Sequence, residues 1–165
     1  MRIAVGSDHA GYALKSLLSV HLAAAGHDVL DLGTDSGEIS VDYPLFGSAV
    51  GRAVADGQAE RGLCVCGSGI GISMAANKVP GVRAAVVHDS TTASLARRHN
   101  DANVVCLGER TTGAAQAVDA VDAFIATGFD GGRHQRRVDQ LTGLDVAPHP
   151  PAHHSDDHER QQPTP

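Results

Sequence analysis

Short runs rich in β-branched residues, each flanked by Gly, Asp or Asn, alternate five times with longer Ala/Leu stretches of helical period. This alternation constrains the chain more than any other feature, because repeated βα units build a parallel sheet with helices on its faces. The pattern predicts strands over Arg2–Ser7, His27–Leu32, Arg61–Cys66, Val82–Val87 and Asn103–Leu107. Helices are expected over Gly11–Ala25, Pro44–Ala55, Gly69–Asn77, Ser90–Arg98, Thr112–Thr127 and Gly132–Leu141. The apolar fraction of 42% is mostly Ala, Val, Leu and Ile, with only 3% aromatic residues, and small aliphatic side chains suit helices packed closely on such a sheet. The expected fold is an α/β, three-layer α/β/α Rossmann-like sandwich with a five-stranded parallel sheet. A chain of 165 residues has room for one such domain.

That domain is expected over residues 1–143. From 144 to 165 Pro148, Pro150, Pro151, Pro163 and Pro165 sit among His, Asp, Gln and Ser with almost nothing apolar. Such a segment buries too little surface to offset its ordering entropy, so a disordered tail is expected, its histidines solvated. The net charge of −6 offers no general basic field for nucleic acid or an anionic membrane, so any anion site must be local. No run approaches the roughly 20 apolar residues of a membrane span, and the apolar start before Asp8 is too short for a secretory leader. Three cysteines, Cys64, Cys66 and Cys106, suit reduced thiols in a cytoplasm better than a disulfide framework.

Ligands in open α/β sheets bind beyond the carboxyl ends of the strands. There the sequence places Asp8, His9 and Gly11 after the first strand, Cys66-Gly67-Ser68-Gly69-Ile70-Gly71 after the third, His88 and Asp89 after the fourth, and Gly108 and Arg110 after the fifth. Asp89 and Ser90 read most simply as a helix cap. The Cys66–Gly71 turn is more informative, because a glycine-rich entry to a helix exposes N–H donors to an oxyanion and favours a thiolate. Cys66 is therefore a candidate base or nucleophile, whereas Cys64 and Cys106 lie within strands and read as inert core residues. Familiar motifs fail on this loop. A dinucleotide fingerprint would need Gly where Ile72 stands, a Cys-x5-Arg phosphatase loop would need Arg there, and a G-x-S-x-G elbow would need Gly in place of Cys66.

A second cluster is Arg133-His134-Gln135-Arg136-Arg137, where Arg133 and Arg137 would share one helix face and could fork onto a phosphate. A solvated charged helix explains that run equally simply. A third, Arg97-Arg98-His99-Asn100-Asp101, closes the fourth helix, and position alone would not select His99 as a catalyst.

Together these residues bring out a resemblance. Gly6-Ser7-Asp8-His9-Ala10-Gly11, Asp42-Tyr43-Pro44, Cys66–Gly71 running on to Ala75-Ala76-Asn77-Lys78, Arg98-His99-Asn100 and Gly132–Arg137 occur in order, and over Met1 to about Gly143 the chain resembles the ribose-5-phosphate isomerase B and galactose-6-phosphate isomerase family. The resemblance implies an aldose–ketose isomerase without metal or organic cofactor, in which Cys66 takes the proton and His99 helps open the sugar ring. It further implies that Asp8 and Asn100 hold sugar oxygens, that Tyr43 lines the pocket, and that His9, Arg110, Arg133 and Arg137 hold the phosphate. The family forms homodimers or dimers of dimers, with His99, Asn100 and Arg110 reaching into the neighbour's site. Ile72 stands where one branch carries a glutamate base, which assigns this chain to the cysteine branch.

The chemistry follows the same lines. An acid near the ring oxygen opens the aldose, a base removes the C2 proton, and the amides of Ser68, Gly69, Ile70 and Gly71 are expected to steady the enediolate. Ribose 5-phosphate is the default substrate, with four- and six-carbon aldose phosphates as alternatives. A sugar-phosphate binding module without turnover and a cysteine enzyme with a covalent intermediate are the competing readings.

Overall fold

The computed structural model describes residues 1–145, so the tail expected over 144–165 lies, from residue 146 onward, outside the described residues. Five parallel strands form one sheet: β1 (Arg2–Ser7), β2 (Asp28–Asp31), β3 (Arg61–Cys66), β4 (Ala84–Val86) and β5 (Val104–Gly108), in the order β2-β1-β3-β5-β4. The helices are α1 (Tyr12–Ala24), α2 (Tyr43–Ala55), α3 (Ile70–Ala76), α4 (Ser90–Asn100), α5 (Ala114–Ala126) and α6 (Gln135–Leu144).

Strand period places the layers. Along β1, β3 and β5 the residues Ile3, Val5, Leu63, Val65, Val105 and Leu107 point to one face, where they pack with Leu14, Leu18 and Leu22 of α1, Ala93 of α4 and Phe124 of α5. Ala4, Cys64, Cys66, Val104 and Cys106 point to the other, against Val50 of α2 and Ile72 and Ala76 of α3. With both faces covered, the strands are near-continuous apolar runs, and each fully buried Leu or Phe contributes about 1.5–3 kcal/mol. Edge strand β4 is blunted by Asn77, whose carboxamide donates to Ala84 O and accepts from Ala84 N, both at 2.8 Å.

The expected three-layer α/β sandwich is the observed one, and β1 and β3 have their expected bounds. The two differ at other ends. β2 and β4 are shorter than expected, and α1 is preceded by a 3-10 turn over His9–Gly11. Helix α4 runs through His99 and Asn100 instead of stopping at Arg98, and its C-cap Asp101 is held from within the helix and from outside it. Asp101, at φ 45°, accepts from Arg97 Nη1 at 2.8 Å and from Arg83 Nη2 at 2.8 Å. Arg133 sits in a 3-10 turn (Gly132–His134) before α6, so it and Arg137 do not share one regular helix.

Candidate active site

The chain order reverses at β1, whose neighbours β2 and β3 are reached in opposite directions, and such a switch point opens a crevice beyond the strand ends. A cleft of about 450 Å³ lies there. Asp8 and His9 enter it from the end of β1, Cys66, Gly67 and Ser68 from the end of β3, and Arg110 and Thr111 from the end of β5. Tyr43 and Gly71 complete the wall.

Cys66 is the last residue of β3 and only 4% exposed. Its Sγ accepts from the Gly69 amide at 3.1 Å, a bond that strengthens when the sulfur carries charge. Gly69 makes this turn at φ 78°, and a Cβ there would stand 2.9 Å from the Leu107 carbonyl carbon, so only glycine lets the loop lie this close to β5. Asp8 is buried and its Oδ1 accepts from Gly11 N at 3.1 Å, which caps the 3-10 turn and holds the carboxylate at the cleft. His9 Nδ1 is 3.2 Å from both the amide N and the carbonyl O of Val41, which leaves Nε2 for a ligand. The Tyr43 ring covers Gly71, where an added Cβ would meet Tyr43 Cζ at 2.7 Å.

Of the four amides assigned to an oxyanion, Gly69 N–H is already on the thiol and Ile70 N–H donates to Ser68 Oγ at 3.3 Å. Gly69 is buried under β5 and Ile70 is 52% exposed and outside the cleft lining, whereas Ser68 and Gly71 both line the cleft. The resemblance sends Arg110 to a neighbour's site; in this chain it also lines the cleft that holds its own Cys66. β3 pairs with β5 at Cys66 and Gly108, Glu109 N donates to Cys66 O at 2.9 Å, and Arg110 N donates to Gly67 O at 3.0 Å. The guanidinium then lies over Gly67.

His99, Asn100, Arg133 and Arg137 do not line this cleft. His99 stacks on His134 of the same chain, ring centroids 4.4 Å apart and planes 4° from parallel. Arg98 and Asp130, paired at 3.1 Å, tie the loop before α6 to α4 and so hold that stack. Desolvation, followed by His99, Arg133 and Arg137, holds His134 below the usual imidazole value. Asn100 borders a separate hollow of about 360 Å³ with Asn77, Arg83 and Leu141, and Arg137 is exposed on α6. Asp89 caps α4 through a reciprocal pair with Thr92, as its position after the fourth strand suggested.

The sequence reading missed Thr111, which lines the cleft beside Arg110, and Glu109. It also missed Lys15, 2% exposed, whose ammonium donates to Asp31 at 2.7 Å and to Thr34 O at 2.9 Å and so anchors the loop after β2 to α1. Only the three-dimensional fold brings these partners together. Among the described residues no group of three or more His, Cys, Asp or Glu is arranged to hold a metal, and no helix is long and apolar enough to cross a membrane.

Comparison with known proteins adds independent findings. A family model described as Ribose/Galactose Isomerase matches residues 3–141. Ribose-5-phosphate isomerase B of Escherichia coli is 44% identical over 144 residues, which span 87% of this chain and 96% of that protein. The solved structure of ribose-5-phosphate isomerase B from Clostridium thermocellum aligns with a TM-score of 0.86 at 49% identity, covering 88% of this chain and 97% of that one. The enzyme of that name from Mycoplasma genitalium, solved with bound ribulose-5-phosphate, aligns at 0.83 and 41% identity, covering 87% and 95%.

Proposed function

The chain belongs to the ribose/galactose isomerase family, and within it we propose that this protein interconverts D-ribose 5-phosphate and D-ribulose 5-phosphate by proton transfer at Cys66. It is an aldose–ketose isomerase of the ribose-5-phosphate isomerase B type. The observation that carries the proposed mechanism is the Cys66 thiol at the floor of the cleft, bound by the Gly69 amide and bracketed by Asp8, His9 and Arg110.

Arg110 and His9 take the phosphate, which sits away from the reacting carbons and so positions the sugar without joining the chemistry. Asp8 and Tyr43 orient the sugar hydroxyls. The Cys66 thiolate removes the C2 proton of the open-chain aldehyde, charge moves to the carbonyl oxygen, and the Ser68 and Gly71 amides steady it at roughly 2.7–4 kcal/mol for a well-placed donor. The O2 hydroxyl proton passes to O1 within the enediolate, and the thiol returns its proton to C1 as the C2 carbonyl forms, giving the ketose. The route uses no metal ion and no organic cofactor.

Ring opening calls for an acid, and His99 is proposed for it. Because His99, Asn100, Arg133 and Arg137 lie outside the cleft of their own chain, we assign them to the site of a second subunit in a homodimer or dimer of dimers. A two-fold interface brings the same patch of each chain to its partner, which completes both sites at once. The free thiols at Cys64, Cys66 and Cys106 support a cytoplasmic location.

The test is a comparison of kcat/KM on erythrose 4-phosphate, ribose 5-phosphate, allose 6-phosphate and galactose 6-phosphate. Ribose 5-phosphate is expected to be highest. A higher value for a four- or six-carbon substrate would reassign the reaction, and tight binding without turnover of any of them would support a binding module instead.

A further inference from the structure

Helix α1 begins directly after the Asp8–His9 turn, yet its own sequence gives it no cap. The N-cap is Gly11, which has no side chain, and the first turn holds no acidic residue. Gly11 cannot be replaced by Ser or Asp, because a Cβ there would fall 2.6 Å from Val65 C and O. An N-cap side chain normally accepts from the second or third helical amide, here Ala13 or Leu14. In this fold the Leu14 amide donates instead to Glu109 Oε2 at 2.9 Å, from a residue 95 positions away on the loop after β5. A carboxylate at that end also complements the partial positive charge of the helix terminus.

Glu109 therefore joins the helix that follows β1 to the ends of β3 and β5. Its side chain holds the start of α1, its amide donates to Cys66 O at 2.9 Å, and the next residue is Arg110. Resting on the proposed sugar-phosphate site, we propose that Glu109 is a positioning residue that fixes the spacing between Arg110 and the Asp8–His9 turn by capping α1 in trans. It touches no substrate. Without its carboxylate the Arg110 loop stays hydrogen-bonded to β3 but is released from α1, so the two phosphate-holding side chains lose their common frame.

The experiment compares wild type, Glu109→Ala, Glu109→Asp and Glu109→Gln by steady-state kinetics on ribose 5-phosphate, NMR titration with inorganic phosphate, and melting temperature. Small misplacements of positioning groups are costly, so Glu109→Ala is expected to raise KM and weaken phosphate binding about tenfold while kcat falls less than about threefold. Glu109→Asp, one methylene too short, should move the same way even if the Ala variant folds poorly. Glu109→Gln keeps an acceptor oxygen at the same reach and should restore most of both values. Unchanged KM and phosphate affinity in the Ala and Asp variants, whatever their melting temperatures, would overturn the proposal. So would a Gln variant no better than Ala. Phosphate binding is read without turnover, so a wild type inactive on ribose 5-phosphate would refute the proposed reaction while this comparison still decides the role of Glu109.

Discussion

Replacing Cys66 by alanine is expected to bring isomerase turnover down to the background rate while leaving sugar-phosphate binding nearly intact. A positioned general base contributes roughly 10²–10⁴-fold in rate, and no other thiol can substitute. Cys64 and Cys106 are fully buried in the layer under α2 and α3, and burial, reinforced by the hydrogen bond to Cys64, pushes the Cys106 thiol well up. Cys106 stays protonated and Cys64 is fully buried, away from the cleft lining, so Cys64→Ala and Cys106→Ala should remain active. Binding survives in Cys66→Ala because Arg110 and His9 approach from other strand ends. Cys66→Ser separates chemistry from packing: a hydroxyl can still accept the Gly69 amide, so the loop keeps its shape, but it ionises far less readily than a thiol and the rate should still collapse. Steady-state rates and NMR titration on the four variants read this directly. More than a few per cent of wild-type rate in Cys66→Ala would place the base elsewhere.

The second large effect is a recovery. His99→Ala should be inactive on its own, since it removes the proposed ring-opening acid, and Cys66→Ala should be inactive for a different reason. When the two are mixed under subunit exchange, a hybrid dimer carries one site lacking both groups and one site with both. At equal mixing half the dimers are hybrids with one working site of two, so activity should return to about one quarter of wild type. The geometry motivates this outcome: His99 is held on His134 and does not line the cleft that contains its own Cys66. Native mass spectrometry confirms the exchange. Hybrids that form without regaining activity would mean that both residues serve the same chain's site.

The layered α/β fold was legible because its signals are local. β1 and β3 end in turn residues, Asp8 and Gly67, at the point where the apolar run stops, and their bounds agree with the sequence reading. Strand order was not legible, because hydrophobic period records which face a residue buries and not which strand lies beside it; β5 inserts between β3 and β4. The end of α4 was misplaced for a related reason. Asp101 is fixed by Arg83 and Arg97, and the Arg83 contact belongs to the tertiary structure.

The site divides the same way. Cys66 stood out because a thiol before a glycine-rich turn carries its chemistry in six consecutive residues, Cys66 to Gly71. The division of labour within that turn did not, since only folding shows Gly69 N–H on the sulfur and Ile70 N–H on Ser68. The position of Arg110 over Gly67 of its own chain was not legible either, because it follows from the pairing of β3 with β5. Glu109 carries no local signal at all, because its partner is a backbone amide far off in sequence.

The central claim, that the Cys66 thiol moves the C2 proton of a sugar phosphate to C1, is tested most directly by following ribose 5-phosphate in D2O by proton NMR. With wild-type protein, ribulose 5-phosphate should appear with the transferred protium at C1, joined by deuterium only to the extent that the Cys66 thiol exchanges with solvent before returning its proton, and with Cys66→Ala neither product nor label should form above the enzyme-free control. Product or label forming at an undiminished rate in the Cys66→Ala protein would contradict the account.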